Sequence, residues 1–253
     1  MLTGGGTMTT RAEPLLSMQA SYAEHGFVRL GRVMDDVELQ AFRDEELRLR
    51  QGQEVDANAK ATTLFINNLG WKSEVVREFC QHGGHLPSVR QLLGPNILLW
   101  WTQLVTKMPD RSEASSVFPW HQDCGYLDIH PTPLTVWIAL DDATLDNGCL
   151  WVVPGSHAQG LREHAKVSED SWHLTLPVEG AGVAVPLAAG EAIAFSAYTL
   201  HRSLANRTAR MRRAFFCEYA VTWAREAASL RPLLPDRDIQ VISGRQVEAL
   251  RQE

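Results

Sequence analysis

The sequence lacks three features that would assign it to a protein class at once: paired cysteines, long apolar runs and an excess of basic charge. Its four cysteines are scattered without a C-x-x-C pair, so we expect reduced thiols in a cytoplasmic protein rather than a disulfide scaffold. No apolar run approaches the roughly 20 residues that a membrane helix requires. The net charge of −6 gives no general attraction for nucleic acid or anionic lipid.

What remains is the composition of an ordinary globular protein, with 45% hydrophobic and 21% charged residues. The first residues have neither the basic start nor the apolar stretch of a secretory signal. We expect a flexible tail over residues 1–13 and a single domain over residues 14–253, because no repeat or second domain is recognisable. The expected partner is a small-molecule substrate, and the expected state is a monomer or homodimer.

The pattern of apolar residues changes from helical to β near residue 96. We predict helices over 14–25, 72–81 and 87–93, and a longer one from the capping residues Asp35 and Asp36 to residue 50. Val37, Phe42 and Leu47 are expected to form the apolar stripe of that longer helix. Short alternating segments predict strands at 27–33, 97–107, 134–140, 149–153, 182–186, 192–196 and 212–221. The predicted fold is therefore mainly β with flanking helices, an antiparallel closed or two-layered sheet braced from the N-terminal side.

Two potential metal ligands, His121 and Asp123, lie in a segment whose residue types predict β-structure. Side chains alternate along a strand, so these two face one way and Gln122 faces the other. His201 lies 80 residues later in another strand-like segment, and Arg212 follows 11 residues after it. We expect antiparallel pairing to place His201 and Arg212 on adjacent strands. Two histidines, one carboxylate and a downstream arginine are what a non-haem Fe(II) oxygenase requires.

Several motifs in a fixed order resemble the phytanoyl-CoA dioxygenase family of Fe(II)/2-oxoglutarate-dependent oxygenases. They are F-P-W-H-Q-D at 118–123, the segment 137–142, N-G-C-L-W-V-V-P-G-S-H at 147–157, and then His201, Ser203, Asn206 and Arg212. The resemblance implies a double-stranded β-helix, a relative of the jelly roll and the cupins. It also implies Fe(II), 2-oxoglutarate and O2 as cofactors and cosubstrates.

The same resemblance implies roles for individual residues. His121, Asp123 and His201 would be the catalytic iron ligands, and Arg212 would pair with the distal carboxylate of 2-oxoglutarate. Ser203 looks like a second donor to that carboxylate. By analogy, Thr135, Trp137 and Gln103 would surround 2-oxoglutarate, although they could instead only fill the barrel. Also by analogy, the residues around the substrate would be Asn67, Trp71, Trp120 and Tyr126.

The expected reaction is hydroxylation of a small organic molecule, in specialised metabolism, with decarboxylation of 2-oxoglutarate to succinate and CO2. Relatives that halogenate carry Gly or Ala at the carboxylate position, so Asp123 favours oxygenation. One alternative keeps the cofactors but ends in desaturation, epoxidation or ring closure. Two further alternatives are a non-catalytic metal-bearing barrel and a cupin-like isomerase or hydrolase. Arg212 argues against both, because neither needs a group that binds a cosubstrate carboxylate.

Overall fold

The computed structural model describes residues 17–52, 62–110, 116–169, 171–180, 182–233 and 240–243. The tail expected over residues 1–13 lies outside these ranges. The described part contains five α-helices, which are α1 (Met18–His25), α2 (Asp36–Gln51), α3 (Leu69–Lys72), α4 (Glu74–His82) and α5 (Leu86–Leu93). Within the described ranges, no helix combines the length and the apolar character that crossing a membrane requires.

The strands of the described part occupy most of the chain after α5. Their bounds are β1 (Phe27–Arg32), β2 (Thr63–Asn67), β3 (Ile97–Lys107), β4 (Phe118–His121), β5 (Ile129–His130), β6 (Leu134–Ala139), β7 (Leu150–Val152), β8 (Ala165–Lys166), β9 (Leu174–Thr175), β10 (Val183–Val185), β11 (Glu191–Ser196), β12 (His201–Ser203), β13 (Arg212–Val221), β14 (Arg225–Glu226) and β15 (Gln240–Ser243). The predicted strands at 97–107 and 212–221 are confirmed with the same bounds.

Two antiparallel sheets form the body of the protein. The large sheet has the order β1-β11-β6-β13-β3-β15, with β2 also paired to β3, and the small sheet has the order β10-β7-β12-β4. Side chains from both sheets pack together in one apolar cluster, including Trp137, Phe195, Leu150, Val152 and Val185. Two sheets packed face to face in this way confirm the predicted double-stranded β-helix, since sandwiched sheets bury the inner face of each strand.

The other face of the large sheet is covered by the N-terminal helices, as predicted. Phe42 of α2 packs against Phe215 of β13 with a ring-centroid distance of 5.0 Å, and Phe79 of α4 lies 5.2 Å from Phe42. Val89 of α5 and Ile138 of β6 belong to the same buried cluster. The helices therefore hold the large sheet as a rigid wall behind the cavity described below.

Helix α2 begins with the predicted cap. The Asp35 carboxylate accepts a hydrogen bond from the backbone N–H of Glu38 (2.8 Å), and the Glu38 carboxylate accepts one from the N–H of Asp35 (2.9 Å). This reciprocal capping box satisfies two backbone donors that the first helical turn leaves without partners.

The predicted apolar stripe of α2 is wrong at Val37 and Leu47 and is confirmed at Phe42. Val37 is 77% exposed and Leu47 is 42% exposed, whereas the buried apolar residues are Leu39, Phe42 and Leu49. Steps of five residues, as from Val37 to Phe42 to Leu47, turn by about 140° around a helix and spread over its surface. Steps of three and seven residues, as from Leu39 to Phe42 to Leu49, stay on one face.

Leucine-to-alanine substitutions at Leu39 and Leu47 test this assignment on one helix. Leu39→Ala should lower the free energy of unfolding by about 2–5 kcal/mol, because it leaves a cavity among buried side chains. Leu47→Ala, the matched control, should lower it by less than about 1 kcal/mol. Chemical denaturation measures both, and equal losses would contradict the burial pattern.

Candidate active site

The two sheets enclose a cavity of about 430 Å³. Its wall combines residues of the large sheet, such as Thr135, Arg212 and Glu218, with residues of the small sheet, such as His121 and His201. Nine of the lining side chains are Phe, Tyr or Trp, so most of the wall is apolar and the few polar groups stand out. A concave apolar site with a few convergent polar groups is the usual form of a small-molecule site.

His121 and Asp123 reach this cavity from the end of β4. The strand stops at His121, and Asp123 begins a short 3-10 turn that runs to Gly125. Gln122 between them keeps an extended backbone, with φ −117° and ψ 140°. The alternation predicted for a strand therefore holds for the pair, although Asp123 itself lies beyond the strand.

His201 joins them because β12 pairs antiparallel with β4, which places His201 directly opposite His121. Oδ1 of Asp123 lies 3.3 Å from Nε2 of His201 and 3.7 Å from Nε2 of His121. One ligand atom from each of the three residues lies within 4.8 Å of the others. Residues 80 positions apart in the chain thus converge as closely as the ligands of a single metal ion.

The hydrogen bonds of the two imidazoles fit metal binding. Nδ1 of His121 lies 2.8 Å from the Pro119 carbonyl oxygen, and Nδ1 of His201 lies 3.0 Å from the Thr199 carbonyl oxygen. A carbonyl only accepts, so Nδ1 donates in each ring, and Nε2 is the nitrogen left to bind a metal ion. Such outer bonds fix the tautomer and the orientation of metal-binding histidines.

The Asp123 carboxylate is held from the opposite sheet. Its Oδ2 accepts a hydrogen bond from Oγ1 of Thr135 on β6 (2.8 Å), which leaves Oδ1 facing the two imidazoles. Two neutral nitrogens and one carboxylate oxygen, with open space in the cavity beside them, match the facial triad of a non-haem iron site.

The pKa values of His121 and Asp123 favour the protonation states that a metal needs. Burial, together with the nearby His201, lowers the pKa of His121 to about 3, so this ring is neutral at neutral pH. Burial acts to raise the pKa of Asp123, but His201 and His121 outweigh it and hold that pKa below its ordinary value. Burial likewise opposes the charge on His201, while Asp123 raises the pKa of this imidazole. An ionised carboxylate next to at least one neutral imidazole is a metal-binding arrangement.

Gln122 fastens the turn that carries the two ligands. Its side-chain amide donates to the carbonyl oxygens of Tyr198 (2.7 Å) and Gly160 (2.9 Å), and its Oε1 accepts from the N–H of Arg162 (2.8 Å). Its own backbone N–H donates to Nε2 of His164 (3.0 Å). The sequence pattern predicts that Gln122 faces away from the ligands, and this face is where it ties the turn to neighbouring loops.

Arg212, at the start of β13, enters the cavity as a cation without an anionic partner. It is 1% exposed, and its guanidinium lies 5.5 Å from the ring of Trp137. Nη2 donates to the carbonyl oxygen of Gly148 (3.1 Å), a residue of the family motif at 147–157 with φ of +82°. Nε and Nη1 have no partner among the described residues. Two buried donors in a planar fork fit an incoming carboxylate.

The predicted adjacency of His201 and Arg212 is wrong. His201 is on β12 of the small sheet, whereas Arg212 is on β13, which pairs with β3 and β6 of the large sheet. The chain between them therefore crosses from one sheet to the other instead of forming a hairpin. The two side chains still share one cavity, because they approach it from opposite walls.

The other residues predicted around 2-oxoglutarate also line the cavity. Ser203 lies on β12, Trp137 lies beneath Arg212, and Gln103 lies on β3. The Gln103 side-chain amide donates to Oδ1 of Asn67 at 2.5 Å. The hydroxyl of Thr135 is occupied by Asp123.

The four residues predicted around the substrate have different positions. Asn67 and Tyr126 line the cavity. Trp120 does not; it packs with Leu176 and Leu200 and lies 4.5 Å from the guanidinium carbon of Arg202. Trp71 belongs to α3, but its side chain lies outside the part of the chain that the structure describes.

Two buried ionisable residues near the site are given no role by the sequence interpretation. Lys107, opposite Arg212 in the ladder, is fully buried and donates to the backbone oxygens of Ser203 (3.1 Å) and Leu204. Burial and the charge of Arg212 hold the pKa of Lys107 well below its ordinary value. Glu218 lines the cavity. It lies an even number of residues after Arg212, and this spacing could have placed it on the same face.

Two further histidines are buried. His173 is 5% exposed and lies against Phe118 with a ring-centroid distance of 4.4 Å. His85 is fully buried, with Nε2 2.6 Å from the hydroxyl of Tyr219. Neither belongs to the cluster of metal-type ligands.

Comparison with known proteins gives one consistent result. The sequence model of the family described as phytanoyl-CoA dioxygenase (PhyH) matches residues 22–214. The chain is 27% identical over 230 residues to the peroxisomal phytanoyl-CoA dioxygenase of Homo sapiens, an alignment that covers 81% of this chain and 68% of that protein.

Two solved structures are similar over most of their length. The epimerase SnoN in complex with Fe3+, alpha ketoglutarate and nogalamycin RO has a TM-score of 0.71 and 25% identity, with 86% of each chain covered. The non-heme alpha ketoglutarate dependent carbocyclase SnoK from nogalamycin biosynthesis has a TM-score of 0.74 and 21% identity, with 90% of this chain and 97% of that one covered.

Removal of the carboxylate tests the metal site without any assumption about the reaction. Asp123→Ala should lower the affinity for a divalent metal ion such as Mn(II) at least about 100-fold, because ligand loss exceeds the 10–100-fold cost of losing an outer partner. Asp128→Ala, which removes a carboxylate bonded to Tyr198, should retain the affinity. Calorimetric metal titration measures both, and unchanged binding by Asp123→Ala would contradict the site.

Proposed function

The chain belongs to the phytanoyl-CoA dioxygenase family of non-haem Fe(II)/2-oxoglutarate-dependent oxygenases, and on this premise we propose that it hydroxylates a small organic molecule. In this proposal, 2-oxoglutarate is decarboxylated to succinate and CO2 in the same cycle. His121, Asp123 and His201 bind the iron, and Arg212 binds the distal carboxylate of 2-oxoglutarate. The cavity around them accepts the substrate.

The residues of the site would supply ligands to the iron and balance the charge of the iron and 2-oxoglutarate. Ferrous iron, once bound with 2-oxoglutarate and O2, supplies the oxidising chemistry. The chain provides two imidazoles that are oriented by their hydrogen bonds and one ionised carboxylate. One Fe(II), one aspartate, a dianionic 2-oxoglutarate and the Arg212 cation sum to zero charge. A neutral total suits a cavity whose wall is mostly apolar, because unpaired charge is costly there.

Arg212 carries the proposal. Burial lowers its pKa to about 10, yet the guanidinium remains protonated at neutral pH. A buried cation with two unpartnered N–H donors is unfavourable until an anion arrives. The distal carboxylate of 2-oxoglutarate supplies both the charge and the two acceptor oxygens. A metal-bearing protein that only binds a metabolite has no use for such a group.

Asp123 and the shape of the site support hydroxylation as the outcome of the reaction. The carboxylate occupies the position that halogenating relatives leave open for halide, which favours transfer of oxygen. The aromatic wall excludes water from the reacting atoms and offers apolar surface to the substrate. SnoN, which shares the fold at 25% identity, belongs by its description to the nogalamycin system, and this supports a substrate from specialised metabolism.

Neighbouring arginines provide a matched test of cosubstrate binding. Arg212→Ala should raise the concentration of 2-oxoglutarate needed for half-maximal succinate formation by about 10-fold or more, because a charged, bidentate contact is lost. Arg213 instead pairs with Asp141 through two contacts of 2.9 Å on the other face of β13. Arg213→Ala should leave that concentration unchanged, as measured by Fe(II)-dependent succinate release.

Two results would contradict the clamp. One is an unchanged 2-oxoglutarate titration for Arg212→Ala, and the other is an equal effect of both substitutions. Succinate release that is independent of Fe(II) in the parent protein would contradict the proposed chemistry as a whole.

A further inference from the structure

Glu218 is a charged residue on the cavity wall that neither metal binding nor cosubstrate binding uses. It lies on β13, six residues after Arg212, and both side chains line the cavity. Even spacing along a strand keeps them on one face, and six residues span about 20 Å. Arg212 and Glu218 therefore stand at opposite ends of the cavity, and Thr135, the ladder neighbour of Glu218, donates to Asp123 of the triad.

The other charged side chains of the cavity already have partners in this account. Asp123 belongs to the triad and Arg212 to the cosubstrate. The guanidinium of Arg202 lies over two indole rings, 4.5 Å from the ring centre of Trp120 and 5.3 Å from that of Trp151. Apart from the imidazoles, Glu218 is then the remaining ionisable carboxyl or guanidinium group of the described lining.

The surroundings of Glu218 give it no counterion. It is 8% exposed, and its neighbours across the ladder are Trp101 on β3 and Thr135 on β6. Over the described ranges, no side chain forms an ion pair or hydrogen bond with its carboxyl group. Burial and the charge of Asp123 raise the pKa of Glu218 well above its ordinary value. A carboxyl group with such a strongly shifted pKa is more often found where it binds a ligand than where it stabilises the fold.

We propose that Glu218 binds a cationic nitrogen of the substrate, so that the substrate is an organic amine with an apolar body. An ammonium group would pair with the carboxylate, and the indole of Trp101 beside it is the type of ring that attracts cations. The aromatic wall would contact the apolar body. This inference rests on the proposed function, since it places the substrate at the end of the cavity that Arg212 and 2-oxoglutarate leave open.

The electrostatics around Glu218 support an amine over a neutral alcohol. Burial and the charge of Asp123 both oppose ionisation of the Glu218 carboxyl group. A cationic nitrogen next to this group would offset both effects and favour the ionised form, whereas an alcohol supplies no charge. An anionic substrate would add like charge close to Asp123, and close like charges in an apolar site are unfavourable.

The test compares binding of matched probes to the protein loaded with Fe(II) and 2-oxoglutarate in the absence of oxygen. The probes are phenylalkylamines of increasing chain length and the phenylalkanols of the same lengths, with affinities measured by calorimetry. At least one amine should bind about 10-fold or more tightly than its alcohol, as expected for a hydrogen-bonded charge pair. Glu218→Gln, which keeps the shape but removes the charge, should abolish this preference.

Glu46→Gln is the matched control, because Glu46 is also buried but lies on α2 next to Arg50, outside the cavity. It should retain the preference for amines. A series in which no amine binds more tightly than its alcohol overturns the inference, as does a Glu218→Gln variant that keeps the preference. Binding of 2-oxoglutarate is titrated in the same samples, and its absence from the parent protein would contradict the proposed function instead.

Discussion

The hydrogen bond between Thr135 and Asp123 joins the two sheets at the candidate metal site. Asp123 leaves the end of β4 in the small sheet, and its Oδ2 reaches Oγ1 of Thr135 on the large sheet at 2.8 Å. Its Oδ1 is thereby aimed at the imidazoles of His121 and His201, which β4 and β12 bring together by direct pairing. The orientation of Asp123 in the candidate metal site thus depends on the spacing of the sheets, which the apolar cluster between them fixes. Movement of one sheet against the other would take Thr135 away from Asp123, and the close packing of the interior resists such movement.

The cavity has a basic residue at one end and an acidic residue at the other. Arg212 at one end and Glu218 at the other are both buried, and neither has an ion-pair partner among the described residues. Arg212 costs stability in a protein without ligands, since an unpaired buried charge is unfavourable, and burial favours the neutral form of Glu218 until a cation pairs with it. The arrangement is explained if ligands of opposite charge complete each end, with an anionic cosubstrate at Arg212 and a cationic substrate group at Glu218. The triad then lies where the two ligands meet.

The sequence predicts the bounds of the long strands well, but it predicts poorly which strands pair with each other. β3 and β13 have the predicted bounds because each is a long run of strand-forming residues with turn residues around it. The order of His121, Asp123, His201 and Arg212 identifies the candidate site. The pairing of His201 with Arg212 fails because it assumes a hairpin, and in this fold the chain between β12 and β13 changes sheets. Such a crossing has no signal in residue type.

Other differences have local causes. The stripe of α2 is misplaced at Val37 and Leu47, because steps of five residues from Phe42 do not stay on one helical face. Gln122 is assigned the correct direction, but its partners are carbonyls of distant loops that only the fold brings near. Glu218 follows Arg212 by an even number of residues, so its face could be predicted. Its lack of a counterion could not, because this depends on what packs around it.

The central claim is most directly tested by a crystal structure of the protein grown without oxygen in the presence of Fe(II) and 2-oxoglutarate. The account predicts one iron ion bound by Nε2 of His121, Nε2 of His201 and the carboxylate of Asp123. It also predicts the distal carboxylate of 2-oxoglutarate against Nε and Nη1 of Arg212. Iron bound elsewhere, or 2-oxoglutarate bound with Arg212 untouched, would contradict it.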